Sequence, residues 1–228
     1  MKKRRDDIAF PMAEMSVLKD LEEFLQASDS LEEGETIPVQ REEHMDRSSH
    51  DIGLLIENHA VVALSIRYCA LTALPRSIDQ LTSLRELDLT GNQLTSLPDS
   101  LGNLLQLQKL YLTGNQLTSL PETLSQLTNL ETLHAYGNHL AALPENLGQL
   151  TNLKDISIGH NRVGTLPDSL RNLDNLTSLD LRANRFVSLP SSIGELAKLE
   201  KLDLRWNKLF LSPGSLQQLE QRGCIIYI

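Results

Sequence analysis

The sequence predicts an α/β solenoid, with a parallel β-sheet on one face and short helical or extended segments on the other. The first observation behind this is a 23-residue unit that recurs seven times between Asn58 and Gln218 without insertion or deletion. Its clearest copy runs from Leu81 to Asn103, and the others begin at Asn58, Leu104, Leu127, Leu150, Leu173 and Leu196. A fixed period of this size means stacked units, each burying its apolar residues only against its neighbours. The second observation is the pattern within the unit. Positions 7 and 9 alternate as a strand does, so Leu87/Leu89, Leu110/Leu112 and Ile156/Ile158 point inward and the residues between them point to solvent. The third is a proline at position 18 in all seven copies, from Pro75 to Pro213, which fixes φ, donates no hydrogen bond and turns the chain out of the sheet. About five residues separate it from the next repeat, too few for a long helix.

Position 12 carries Asn92, Asn115, Asn138, Asn161, Asn184 and Asn207, with Cys69 in the first unit. A buried amide both donates and accepts, so stacked asparagines satisfy the backbone groups that turn inward where the strand ends. With leucine, isoleucine or valine almost always at positions 1, 4, 7, 9, 14, 17 and 21, the unit reads L-x-x-L-x-L-x-x-N-x-L-x-x-L-P. This resembles the leucine-rich repeat, of the kind in intracellular Ras-suppressor-like and Scribble-like proteins and in bacterial leucine-rich repeat proteins. The resemblance covers about three quarters of the chain. It implies a horseshoe with the parallel sheet on its concave face, a non-catalytic protein-protein interaction scaffold, and cysteine tolerated at position 12.

The two ends depart from the unit, as the ends of an open solenoid must. Ile52–Glu57 and Ala60–Ile66, joined by Asn58-His59, read as a hairpin covering the first edge. Upstream, residues 13–27 place Val17, Leu18, Leu21, Phe24 and Leu25 on one helical face, which either caps the first repeats or docks into a partner groove. Residues 28–51 are polar and acidic and read as a mobile linker. The division is therefore an N-terminal helix and acidic linker over 1–51 and a repeat domain over 52–228. At the far end position 17 becomes Ser212, and Gly223–Ile228 resembles the closing strand of bacterial leucine-rich repeat proteins.

Charge is unevenly placed. Of the net −9, residues 1–57 carry −8 (7 Lys+Arg, 15 Asp+Glu) and the repeats carry only −1 (14 against 15), so bulk charge implies no nucleic-acid partner. Cys69 and Cys224 lie far apart in the stack, without the disulfide-rich caps of extracellular relatives, which favours a reducing, cytoplasmic setting. The basic start Met1–Arg5 meets Asp6 and Asp7 rather than an apolar run, so neither a secretion signal nor a membrane span is expected. The sequon at Asn175 reads as chance.

The informative residues are those that vary between units. Position 8 gives Asp88, Tyr111, His134, Asp180 and Asp203, and position 10 gives Tyr136, Arg182 and Arg205. Position 11 adds Tyr68, His160 and Trp206, and position 13 adds His139 and Arg185, with Arg162 and Lys208 in the same row. Aromatic residues and arginine on a rigid scaffold are the stuff of binding hot spots, so these residues form the candidate partner site. Tyr111, His134, Tyr136 and His139 are too strung out for a metal, since His134 and Tyr136 are about 6.8 Å apart along one strand. Asp180–Arg182 and Asp203–Arg205 read either as a self-neutralising quartet or as part of an arginine-rich corner for an acidic peptide.

The expected function is thus a scaffold for a partner protein or peptide on the concave face, with no cofactor, metal, nucleic acid, membrane or small-molecule substrate. A non-enzymatic bacterial effector translocated into host cells is the alternative. A ubiquitin-ligase effector is a weaker one, because its nucleophilic cysteine sits in a separate C-terminal domain, whereas Cys224 lies four residues from the last residue here and has no identifiable base.

Overall fold

Residues 11–39, 52–210 and 216–228 are described by the computed structural model. Nine strands form one sheet in chain order: β1 (Ile52–Glu57), β2 (Ala60–Ile66), β3 (Glu86–Asp88), β4 (Lys109–Tyr111), β5 (Thr132–His134), β6 (Asp155–Ser157), β7 (Ser178–Asp180), β8 (Lys201–Asp203) and β9 (Ile225–Tyr227). The first pair is an antiparallel hairpin whose turn residues Asn58 and His59 both take positive φ, as a two-residue connection requires. All later pairs are parallel, and from β3 to β8 each residue faces its equivalent one repeat on, as Glu86 faces Lys109. The solenoid is therefore a stack of like on like, with its sheet on the concave face.

Inside, Leu84, Leu87, Leu89, Leu94 and Leu101 and their equivalents in the first six repeats are buried and belong to one continuous core, while Leu209 in the seventh is only partly buried. The asparagine row works as its chemistry demands. Asn138 Nδ2 donates to the Leu112 and Ala135 carbonyls at 2.9 and 3.0 Å, while its Oδ1 accepts from the Leu117 N–H at 3.0 Å. Cys69, in the first repeat, is buried and donates to the Arg67 carbonyl instead. On the convex side, Pro75, Pro98, Pro121, Pro167 and Pro190 each lead straight into one turn of 3-10 helix with φ between −64° and −70°. Ser212 and Pro213 lie outside the described residues.

The N-terminal helix α1 (Met12–Ala27) contains no glycine or proline, and its Val17, Leu18, Leu21 and Leu25 are fully buried against the first repeat. At about 1.5–3 kcal/mol for each buried side chain, this face contributes on the order of 6–12 kcal/mol. Polar contacts fix its register: Glu14 accepts from the Val61 N–H at 3.0 Å, and Ser77 donates to Asp20 at 2.7 Å. Of the two roles open to it, the helix takes the capping one, and only Phe24 of the five apolar residues is exposed. Residues 28–39 differ from the expected linker. Ser30 donates to the Cys69 carbonyl, Glu22 accepts from the Ile37 N–H, Ile37 is fully buried, and Val39 bridges Leu54 in parallel. One buried isoleucine and a helix carboxylate hold a segment whose composition alone suggests solvation. The remainder of that expected linker, residues 40–51, lies outside the described residues. At the other end, α2 (Gln217–Gln221) leads into β9, which pairs with β8.

Candidate functional site

The open face is built by rows of side chains from equivalent positions, one per strand. Its floor is the position-8 row, and here the structure corrects the sequence. Tyr111 is only 7% exposed, and Asp88 and Asp203 are likewise buried. Strand alternation puts these side chains on the open face, but neighbours at positions 6, 8 and 10 close over them. The His134 ring meets Tyr111 edge-on at 5.3 Å, and the Arg67 guanidinium lies 3.5 Å from Asp88.

The aspartates do a structural job. Asp88, Asp180 and Asp203 each accept from the backbone N–H two residues on, pinning the strand exit at 3.0–3.2 Å. The second oxygen of Asp180 pairs with Arg182 at 3.2 Å, and Asp203 holds Arg205 through two bonds, at 3.0 and 2.5 Å. The bonds from Arg205 hold the Asp203 carboxyl below the usual carboxylate range, against an opposing push from burial. Asp180 and Asp203 thus each orient the arginine two residues on, rather than merely neutralising a quartet.

So held, the arginines frame an aromatic ridge over the C-terminal half. Arg182 stacks on Tyr136 at 5.0 Å, Tyr136 meets His160 at 4.9 Å, and His160 meets Trp206 edge-on at 5.9 Å. Arg205 lies between Trp206 at 5.4 Å and Tyr227 at 5.1 Å. Gly159 leaves the ridge room: a Cβ there would lie 3.0 Å from both the Tyr136 ring and the Arg182 side chain, tighter than an ordinary contact. Two members were missed by sequence reasoning. Tyr227 faces Asp203 and so extends the position-8 row, a place signalled by the alternation of the last strand. Gly159 acts through the side chain it lacks.

Position 11 is left-handed in every repeat: Tyr68, Gly91, Gly114, Gly137, His160, Ala183 and Trp206 have φ between 51° and 73°. The conformation lets each N–H from position 68 to 183 donate to the position-10 carbonyl of the next repeat, at 2.8–2.9 Å, extending the ladder past the strand. Glycine suits this conformation, yet three of the seven places hold large rings, and Trp206 is 67% exposed. Tyr68 stands at the opposite end of the row, seated over Gly91, with Arg67 5.7 Å from its ring. It is not joined to the ridge.

His139, Arg162, Arg185 and Lys208 form an exposed rim beside the ridge. His134 bonds Asp155 at 2.8 Å, and that contact, more than any other, draws the Asp155 carboxyl below its ordinary range. Among the described residues no three of histidine, cysteine, aspartate or glutamate converge to hold a metal. No helix among them is long and apolar enough to cross a membrane.

Residues 46–161 match the family described as a leucine-rich repeat region, and residues 175–196 and 198–219 match the leucine-rich repeat. The chain belongs to the leucine-rich repeat family. Among solved structures, this leucine-rich repeat chain is similar to a leucine-rich repeat protein of Leptospira interrogans, at 38% identity and TM-score 0.65 over 69% of this chain and 40% of that one. It is similar to the leucine-rich repeat domain of the type III effector XopL, at 29% identity and TM-score 0.61 over 73% of this chain and 68% of that one. The plant complex PEPR1–AtPEP1 matches at 28% identity and TM-score 0.69 over 91% of this chain and 29% of that one. The chain thus spans well under half of the Leptospira and PEPR1 chains. No curated protein sequence matches it.

Proposed function

We propose that the chain is a non-catalytic interaction module that holds a partner protein or peptide on the concave face, with the ridge of Tyr136, His160, Arg182, Arg205, Trp206 and Tyr227 as its anchor. The carrying observation is the exposure of His160 and Trp206 from a left-handed position that three repeats fill with glycine. Strain of this kind concentrates where function maintains it. PEPR1–AtPEP1 is a complex on the same architecture, which supports a polypeptide occupant. Tyr111, being floor rather than surface, leaves the anchor set.

The test is capture from the source cells by the native chain and by a Tyr136→Ala/His160→Ala/Trp206→Ala variant, with circular dichroism as the control for folding. A partner retained by the native chain and lost by the folded variant supports the site. Equal capture by both overturns it.

Cys224 argues for the non-catalytic reading: it is buried, and burial pushes its thiol up, opposite to what a nucleophile needs. The cytoplasmic setting remains part of this proposal, supported by two free, buried cysteines. The likeness to the XopL repeat domain favours a second reading, an effector delivered into host cells. A translocation reporter fused to the full chain separates the two.

A further inference from the structure

Several charged side chains on this solenoid find partners in the neighbouring repeat. Glu57 pairs with Arg85, Glu86 with Lys109 at 3.1 Å, Glu131 with Lys154 at 2.8 Å, and His134 with Asp155 at 2.8 Å. The position-13 row has no such partners among the described residues. It stacks His139, Arg162, Arg185 and Lys208 in four consecutive repeats, all exposed, and among the described residues no carboxylate pairs with any of them. Like charges on neighbouring strands repel, a cost that anionic company offsets. The same edge turns apolar where it is most basic: at position 15, next along the turn, Val187 is 52% and Phe210 85% exposed, whereas earlier repeats carry Thr95, Thr118 and Ala141 there. Trp206 and His160 flank the rim on its inner side.

We infer that the occupant of the C-terminal half of the concave face is an acidic peptide segment with interleaved apolar residues, its carboxylates on the Arg162–Arg185–Lys208 rim and its apolar side chains on Trp206, Val187 and Phe210. The inference rests on the proposed concave-face function and specifies its ligand. At about 4.8 Å per strand, the four basic positions span roughly 14 Å, which an extended chain at about 3.3 Å per residue crosses in four or five residues. Charge complementarity selects the occupant against the overall field, because the chain as a whole is at −9 and repels acidic peptides at long range.

The experiment pans a random dodecapeptide phage library against the full chain, against Arg162→Glu/Arg185→Glu/Lys208→Glu, and against Tyr136→Ala/Trp206→Ala, each checked by circular dichroism. Should the charge reversal unfold the chain, the glutamine triple variant replaces it. The expected result is selection of peptides enriched in Asp and Glu, with the enrichment lost on the reversed rim. The best peptide, synthesised with blocked ends, perturbs the fluorescence of Trp206, the single tryptophan, and binds the reversed variant at least 10-fold more weakly. Selected peptides that need Tyr136 and Trp206 but ignore the reversal overturn this inference and leave the proposed function standing. Peptides indifferent to both variants, or none selected, overturn the linear acidic occupant. Tighter binding of single-stranded oligothymidylate than of any selected peptide overturns it in favour of nucleic acid.

Discussion

Position 11 offers an internal comparison, because one backbone conformation is filled by glycine in three repeats and by Tyr68, His160, Ala183 and Trp206 in four. Gly137→Ala isolates the conformational term: φ is +66°, and a Cβ there would meet only the Gly114 backbone at 3.8 Å, an ordinary contact. A left-handed non-glycine residue costs roughly 1–2 kcal/mol, and the smaller unfolded-state entropy of alanine returns about 0.4–1 kcal/mol. Gly137→Ala is therefore expected to destabilise by about 1 kcal/mol. The same difference with opposite sign applies at the aromatic ridge, where Trp206→Gly should be about 1 kcal/mol more stable than Trp206→Ala. At an ordinary position in a helix or strand glycine is the less stable, by roughly 0.5–1 kcal/mol, so the sign decides. Against the native chain, Trp206→Gly loses the Arg205 stacking, about 0.5–1 kcal/mol at an exposed site, and comes out near neutral. Urea unfolding followed by circular dichroism, with equal m-values required before midpoints are compared, measures all three. Trp206→Gly less stable than Trp206→Ala, or Gly137→Ala indistinguishable from native, would refute the reasoning.

Asn138→Ala removes three buried hydrogen bonds of 2.9–3.0 Å and strands their backbone partners; the expected loss is about 3 kcal/mol, read as a urea midpoint shift, and a loss under 1 kcal/mol would mean that water replaces the ladder. Glu14 is buried in the cap, and burial raises its carboxyl above the ordinary value despite the Val61 N–H. Its native form therefore favours the proton: its stability contribution is complete below about pH 4.3, the unfolded value, and is lost as pH rises through the raised native value. Glu14→Gln should accordingly gain on the native chain between pH 4 and 7, and parallel stability profiles would count against this. Asp155 shifts the other way, lowered first by the hydrogen bond from His134, so its contribution is present above about pH 3.9 and lost as pH falls through the lowered native value. His134→Ala should bring the Asp155 titration back up toward that ordinary value, as followed by carboxyl carbon NMR, and an unmoved titration would discount the contact.

The spine was legible because its determinants are local and repeated: alternation at positions 7 and 9 and the proline at 18 recur seven times and the buried amide at 12 six times, each dictating one backbone feature. Depth was not legible. Alternation gives the face on which Tyr111 lies, but its burial follows from the His134 ring beside it and the crowded rows around it, which are matters of side-chain packing. Contact across repeats was equally hidden. Tyr136 meets Arg182 across the space that Gly159 leaves between them, and Tyr227 joins Arg205 one residue out of the 23-residue register, where a strict repeat count passes over it. In the N-terminal segment composition misled in the opposite direction. Residues 28–39 are acidic, yet Ile37 and the Glu22 carboxylate suffice to seat them.

Departures from local rules concentrate in the last three repeats, and that is the argument for placing the partner there. Tyr68 also stands in the left-handed position, but its ring rests on Gly91, whose missing side chain makes the seat. Packing thus accounts for Tyr68 without a ligand. Trp206 is two-thirds exposed, and the exposed His160 meets the rings of half-buried Tyr136 and of Trp206. The same repeats carry the uncompensated Arg162, Arg185 and Lys208 and the bare Val187 and Phe210. Along this one edge of the open face, exposed basic side chains with no carboxylate partner among the described residues meet bare apolar ones, and position 11 carries rings where three other repeats hold glycine. Stability does not call for that combination; a partner with acidic and apolar groups does.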